Sequence, residues 1–171
     1  MTQSSDLGEW AFLTYSLPRD PSAPRLALWR KLKRLGVAQL ADGLVALPAD
    51  ARTREQLEWA ADHTVAAGGR AGVWLARPTT RAQERELAQT MNAARTEEFQ
   101  VIVDDAVAAL NADEGDRVRA LRRLRAENNR VRRRDYFRPP AREQARQALA
   151  ALAATLQDDP APAAADQRMP R

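Results

Sequence analysis

Hydrophobic positions along the chain fall into two textures that meet near Pro78. Before it, short apolar runs alternate with amphipathic stretches. "EWAFLTYSLP" is rich in aromatic and β-favouring residues and stops at Pro18, which predicts a buried strand over Trp10 to Leu17. After a turn at "RDPSAP", Leu28, Trp29, Leu32 and Leu35 share one face at about 100° per residue, with Gly36 as the stop, so an amphipathic helix is expected. "VAQLADGLVALP" reads as a β-hairpin turning at Asp42-Gly43, a dipeptide that accepts positive φ. A second helix follows in "ADARTREQLEWAADHTVAAGG", where Thr53 and Gln56 have capping-box spacing and Gly68-Gly69 marks the end. "RAGVWLARP" supplies a fourth strand.

The order strand, helix, strand, strand, helix, strand predicts an α+β fold: a ferredoxin-like βαββαβ domain over residues 9–78, preceded by a flexible N-terminus at 1–8. Its four-stranded antiparallel sheet would carry both helices on one face. The other face, with Trp10 and Trp74, then needs a cover, either the C-terminal segment or a second copy, so a homodimer is expected.

Beyond Pro78 the period becomes helical, which predicts an α-helical extension over 79–157. Thr80 and Gln83 again have capping-box spacing, and Leu87, Met91, Ala94, Phe99, Ile102, Ala106 and Leu110 mark one apolar side. "NADEG" breaks that helix. Ala120, Leu121, Leu124, Asn128 and Val131 give the next one an apolar side, and Ala145, Leu149, Leu152 and Leu156 mark a last helix after "RDYFRPP". The Pro/Ala-rich residues 158–171 read as a disordered tail.

Charge changes the picture through its arrangement, since 27 basic against 23 acidic side chains leave only +4. Residues 117–134 carry nine arginines and one acid, whereas residues 97–116 carry seven acids and no Lys or Arg. A tight turn at "NADEG" would fold the acidic helix back along the basic one, and Asp113, Glu114 and Asp116 would sit at the basic helix's N-terminus, where its dipole favours them. The first helix differs: Arg25, Arg30, Lys31, Lys33 and Arg34 have no acid between Pro21 and Ala41. Guanidinium and ammonium groups in such faces bind phosphates and release counterions, which gives affinity rather than sequence choice. The candidate DNA contacts are Arg30, Lys31, Lys33 and Arg34 in the first helix, and Arg119, Arg122, Arg123, Arg130 and Arg133 in the basic one.

Candidate chemistry is sparse. The chain has no cysteine, and its one histidine, His63, falls near a helix end where a surface or capping role fits better than a general base. No cofactor, metal or catalytic residue is therefore expected, and the chain reads as non-enzymatic. No apolar run has the ~18–20 residues that span a bilayer, and the N-terminus lacks a signal-peptide pattern, so a cytoplasmic protein is the default.

"WAFLTYSLP", "RLALWRKLKRLG", "DGLVALP", "MNAARTEEF" and "RRRDYFRPPAREQA", in this order over residues 10–156, resemble the N-terminal domain of the ChrB chromate-resistance regulator family. The resemblance implies a chromate-responsive transcriptional regulator acting on the promoter of an efflux operon, with DNA as partner and chromate as ligand. Arg132, Arg133, Arg134 and Arg138, grouped around Tyr136 and Phe137, are the candidate oxyanion-binding residues, although the two aromatics are expected to anchor the loop before the last helix. The family's full-length pattern has a second, C-terminal domain that this sequence does not carry. The first half is also similar to the ferredoxin-like domain of PaaX-type repressors and, more distantly, to small CRISPR adaptation nucleases, which place a metal-binding aspartate after the first strand. Ser16 stands there in this chain and the nearest acid is Asp20, which argues against a nuclease. The competing reading is a protein-interaction or dimerisation module whose charged helices are structural.

Overall fold

Strand β1 (Trp10–Ser16) is hydrogen-bonded on both sides, antiparallel to β3 (Leu44–Pro48) and to β4 (Arg70–Ala76). With β2 (Ala38–Ala41) outside β3, the sheet order is β2-β3-β1-β4. Together with α1 (Ala23–Leu35) and α2 (Ala51–Ala66), this is the expected ferredoxin-like arrangement. The computed structural model describes residues 8–157; the tail at 158–171 and residues 1–7 lie outside them. The described chain divides into two units, residues 8–95 with 134–138, and residues 96–133 with 139–157.

In the first unit, strand alternation sorts the side chains. Ala11 and Leu13 of β1 are fully buried, and their β3 partners Leu47 and Val45 share that face. Leu28 and Leu32 of α1 and Leu57 and Ala60 of α2 complete this core. Asp42-Gly43 closes the β2–β3 hairpin as expected, with Gly43 at φ 77°. On the opposite face, Trp10 is buried, and Phe12 and Ala38 line a cavity of about 500 Å³ with Leu87 and Thr90 of α3 (Arg81–Ala109). The start of α3 thus supplies cover that the sheet was expected to need. Trp74 remains 60% exposed, its indole N–H donating to Thr14 Oγ1 at 3.1 Å.

Three local expectations are corrected. The α2 capping box is Asp50–Thr53 rather than Thr53–Gln56: Thr53 N–H donates to Asp50 Oδ1 at 2.7 Å and Asp50 N–H to Thr53 Oγ1 at 2.9 Å. An earlier start is possible because Asp50 is itself a strong cap. Trp29 is 48% exposed and not on the core side of α1, since Leu28 and Leu32 fill that stripe and position 29 lies a further ~100° round. On α3 the buried position is Arg95, next to the exposed Ala94. Thr80 and Gln83 do cap α3: Gln83 N–H donates to Thr80 Oγ1, and the Gln83 side-chain oxygen accepts from Thr79 N–H.

The second unit comprises α3 from Thr96 onward, α4 (Glu114–Arg133) and α5 (Pro140–Ala154). Phe99, Ile102, Leu121, Leu124, Val131, Ala145, Leu149 and Leu152 form its core. Asn128 is buried in α4 with its side-chain oxygen lacking a hydrogen-bond partner. Asp113 caps α4, accepting the Asp116 N–H at 2.8 Å, and that bond holds its carboxyl below the usual carboxylate range.

Residues 134–138 return to the first unit. Phe137 packs on Trp10 with ring centroids 6.1 Å apart, and the Tyr136 hydroxyl donates to the Leu35 carbonyl at 3.2 Å. Burial raises the Tyr136 pKa above the ordinary tyrosine value, outweighing the nearby Arg52 and Arg95 cations. A raised folded-state pKa means stability that is complete below about pH 10 and is lost as pH climbs through the folded value. Tyr136→Phe is expected to cost about 0.5–1.5 kcal/mol at pH 7 by removing the hydrogen bond. It should also flatten the alkaline loss, leaving the part carried by Tyr15, whose pKa is raised by burial and then by Asp42. Urea denaturation at pH 7 and above pH 10 measures both effects.

Candidate nucleic-acid interface

Helix α1 begins at a proline-containing first turn with no acid and ends in Lys33 and Arg34, cations that its negative C-terminal dipole favours. Gly36, at φ 72°, closes it by donating to the Leu32 and Lys33 carbonyls, both at 3.2 Å. A side chain at position 36 would be strained and would meet Arg95 and Arg134. Because Leu28 and Leu32 are buried, Arg30, Lys33 and Arg34 point outward and are exposed.

Arg30, Lys33 and Arg34 line a shallow cavity of about 300 Å³ with Trp29 and Arg134, and no acid is in its lining. Lys33 Nζ lies 4.7 Å from the centre of the Trp29 ring, a cation–π contact. On the other flank, half-buried Lys31 shares a cavity of about 340 Å³ with Arg34 and His63. Its ammonium stands 5.8 Å from the Trp59 ring. Burial lowers the Lys31 pKa, Arg34 lowers it further, and Asp62 offsets part of the shift. His63 is exposed in the last turn of α2.

The basic helix α4 presents Arg119, Arg122, Arg123, Arg130 and Arg133 on its exposed side. Part of the expected charge matching is present: Arg123 pairs with Asp105 of α3 at 3.0 Å, Arg130 with Glu127 at 2.5 Å, and Arg119 with Asp116. These pairs are largely exposed, so each contributes about 0–1 kcal/mol.

The oxyanion candidates separate along the chain. Arg132 and Arg133 close α4 in the second unit, while Arg134 and Arg138 belong to the returning segment of the first. Arg138 adopts φ 53° and donates its N–H to Asp135 Oδ1 at 2.9 Å. Tyr136 and Phe137 are anchors packed against the first core, as expected. Two features of the α1 cavity escape sequence reasoning. Arg134 lies about a hundred residues from Arg34 with no motif to connect them, and Trp29 reads as core by its hydrophobicity. Its one-position step from Leu28, about 100° round the helix, is the signal that places it outside.

Asp20 is exposed, and among the described residues no group of three or more His, Asp or Glu could hold a metal ion. No helix among them is long and apolar enough to cross a membrane.

The fold and its surface define a ferredoxin-like α+β domain continued by an α-helical extension, with a cationic first helix. The sequence model of the family described as "Protein ChrB, N-terminal" matches residues 25–112, and the chain belongs to this family of chromate-resistance regulators. The match takes in most of α1 and stops before α4. No curated protein and no solved structure matches the chain.

Asp105→Asn removes the cross-helix partner of Arg123. It is expected to destabilise the protein by about 0–1 kcal/mol at low salt and by less at high salt, which urea denaturation at two sodium chloride concentrations would measure.

Proposed function

We propose that this protein is a non-enzymatic, DNA-binding transcriptional regulator of chromate resistance, acting in the cytoplasm on the promoter of a chromate-efflux operon. The observation that carries this reading is the outward face of α1, where Arg30, Lys33 and Arg34 gather with Arg134 and no acid lies between Pro21 and Ala41. Cations without a local acid on a rigid helix suit a polyanion. Membership of the ChrB N-terminal family supports a regulatory role.

Of the proposed contacts, Arg30, Lys31, Lys33 and Arg34 form the principal set, and Arg119, Arg122, Arg123, Arg130 and Arg133 a secondary one. An exposed arginine paired with a carboxylate can exchange it for a phosphate at little cost. Chromate is the proposed inducer, and Arg134 offers it a guanidinium beside the α1 cations. A homodimer would present two such faces to a palindromic site.

The α4 ion pairs favour a second reading, in which the charged helices are structural and the chain is a protein-interaction or dimerisation module. Equilibrium binding to duplex promoter DNA at two salt concentrations separates the two. The triple variant Arg30→Gln, Lys33→Gln, Arg34→Gln should bind more weakly, with the slope of log K against log salt reduced by roughly 0.9 for each phosphate that is no longer neutralised. Unchanged binding by a folded variant would overturn the assignment to α1. Adding chromate to the same titration tests induction, which predicts weaker binding.

A further inference from the structure

Four tryptophans are present, and their surroundings differ. Trp10 is in the core, Trp74 has its indole N–H engaged by Thr14, and Trp59 stands beside Glu55 as well as Lys31. Trp29 lines a cavity whose other lining residues are all cations: Arg30, Lys33, Arg34 and Arg134. About half of its surface is exposed.

We infer that Trp29 is a stacking site for an unpaired nucleobase, so that the α1 cavity takes single-stranded DNA, with the neighbouring guanidinium groups on the flanking phosphates. This rests on the nucleic-acid reading of α1 and adds to its duplex phosphate contacts a second mode, in which the same cations hold a strand with an unpaired base. An indole can stack only on a base that has left its own stack, whereas phosphate contacts alone make no such distinction. The charge of the cavity matches a polyanion and disfavours a purely apolar partner. Lys33 has a second role here. Its ammonium sits over the ring at 4.7 Å, on a flexible stem that can turn to a phosphate as the base takes its place.

The test uses the full chain and three fluorescent oligonucleotides of equal length: an oligothymidine single strand, the same strand with abasic sites, and a duplex. Trp29→Leu should weaken binding to the oligothymidine roughly five- to hundred-fold, the range of base–aromatic stacking, and leave the abasic strand and the duplex unchanged. Trp29→Phe should restore part of the loss, and Trp59→Leu should bind as the unaltered protein does. Circular dichroism checks the folding of each variant. Equal affinity of the unaltered protein for the abasic and intact strands, or an oligothymidine affinity unaffected by Trp29→Leu, would overturn the inference while duplex binding stands. Absence of all binding by the unaltered protein would overturn the nucleic-acid reading with it.

Discussion

The Tyr136 hydroxyl donating to the Leu35 carbonyl, with Phe137 set against Trp10, ties a segment that follows α4 to the C-terminus of α1. The cationic cavity depends on this attachment, because it brings Arg134 beside Arg30, Lys33 and Arg34 across about a hundred residues of chain. Gly36 makes room for it: its left-handed backbone ends α1, and its bare Cα lets Arg95 and Arg134 approach. Buried Arg95 near the α1 C-terminus places a positive charge where the helix dipole is negative.

Charge is handled differently on the two basic helices. On α4 the arginines have carboxylates within reach, from Asp105 on α3 and from Asp116 and Glu127 on α4 itself. On α1 the sequence supplies no such partner between Pro21 and Ala41, and repulsion is eased by solvent, by the dipole and by the indole rings under Lys31 and Lys33. Asp62 acts on Lys31 from α2, whereas Arg30, Lys33 and Arg34 share a cavity with no acid in its lining and together make a local positive field. Composition alone points to α4, since it holds more arginines; the pairing pattern moves the emphasis to α1.

Much of the fold is legible in the sequence because its signals are local. The Asp42-Gly43 turn, the Gly36 stop, the Thr80–Gln83 cap and the alternation around Ala11 and Leu13 each depend on residues a few positions apart. Legibility fails where two local signals compete, as at Asp50 and Thr53, or where hydrophobicity points a residue inward and its angular position points it out, as at Trp29. The site is less legible for a physical reason. The α1 cations can be read from the sequence, but the addition of Arg134 depends on long-range packing by Tyr136 and Phe137, and no periodicity encodes that distance.

The chain's two lysines, Lys31 and Lys33, both lie on α1, which makes amine reactivity a direct probe of this face. Acetylation of the folded protein, followed residue by residue by mass spectrometry with and without saturating DNA, tests the central claim that α1 meets the nucleic acid. DNA should protect Lys33, and Lys31 to a smaller degree given its partial burial. Unchanged modification of both lysines while DNA is bound would place the interface elsewhere on the protein.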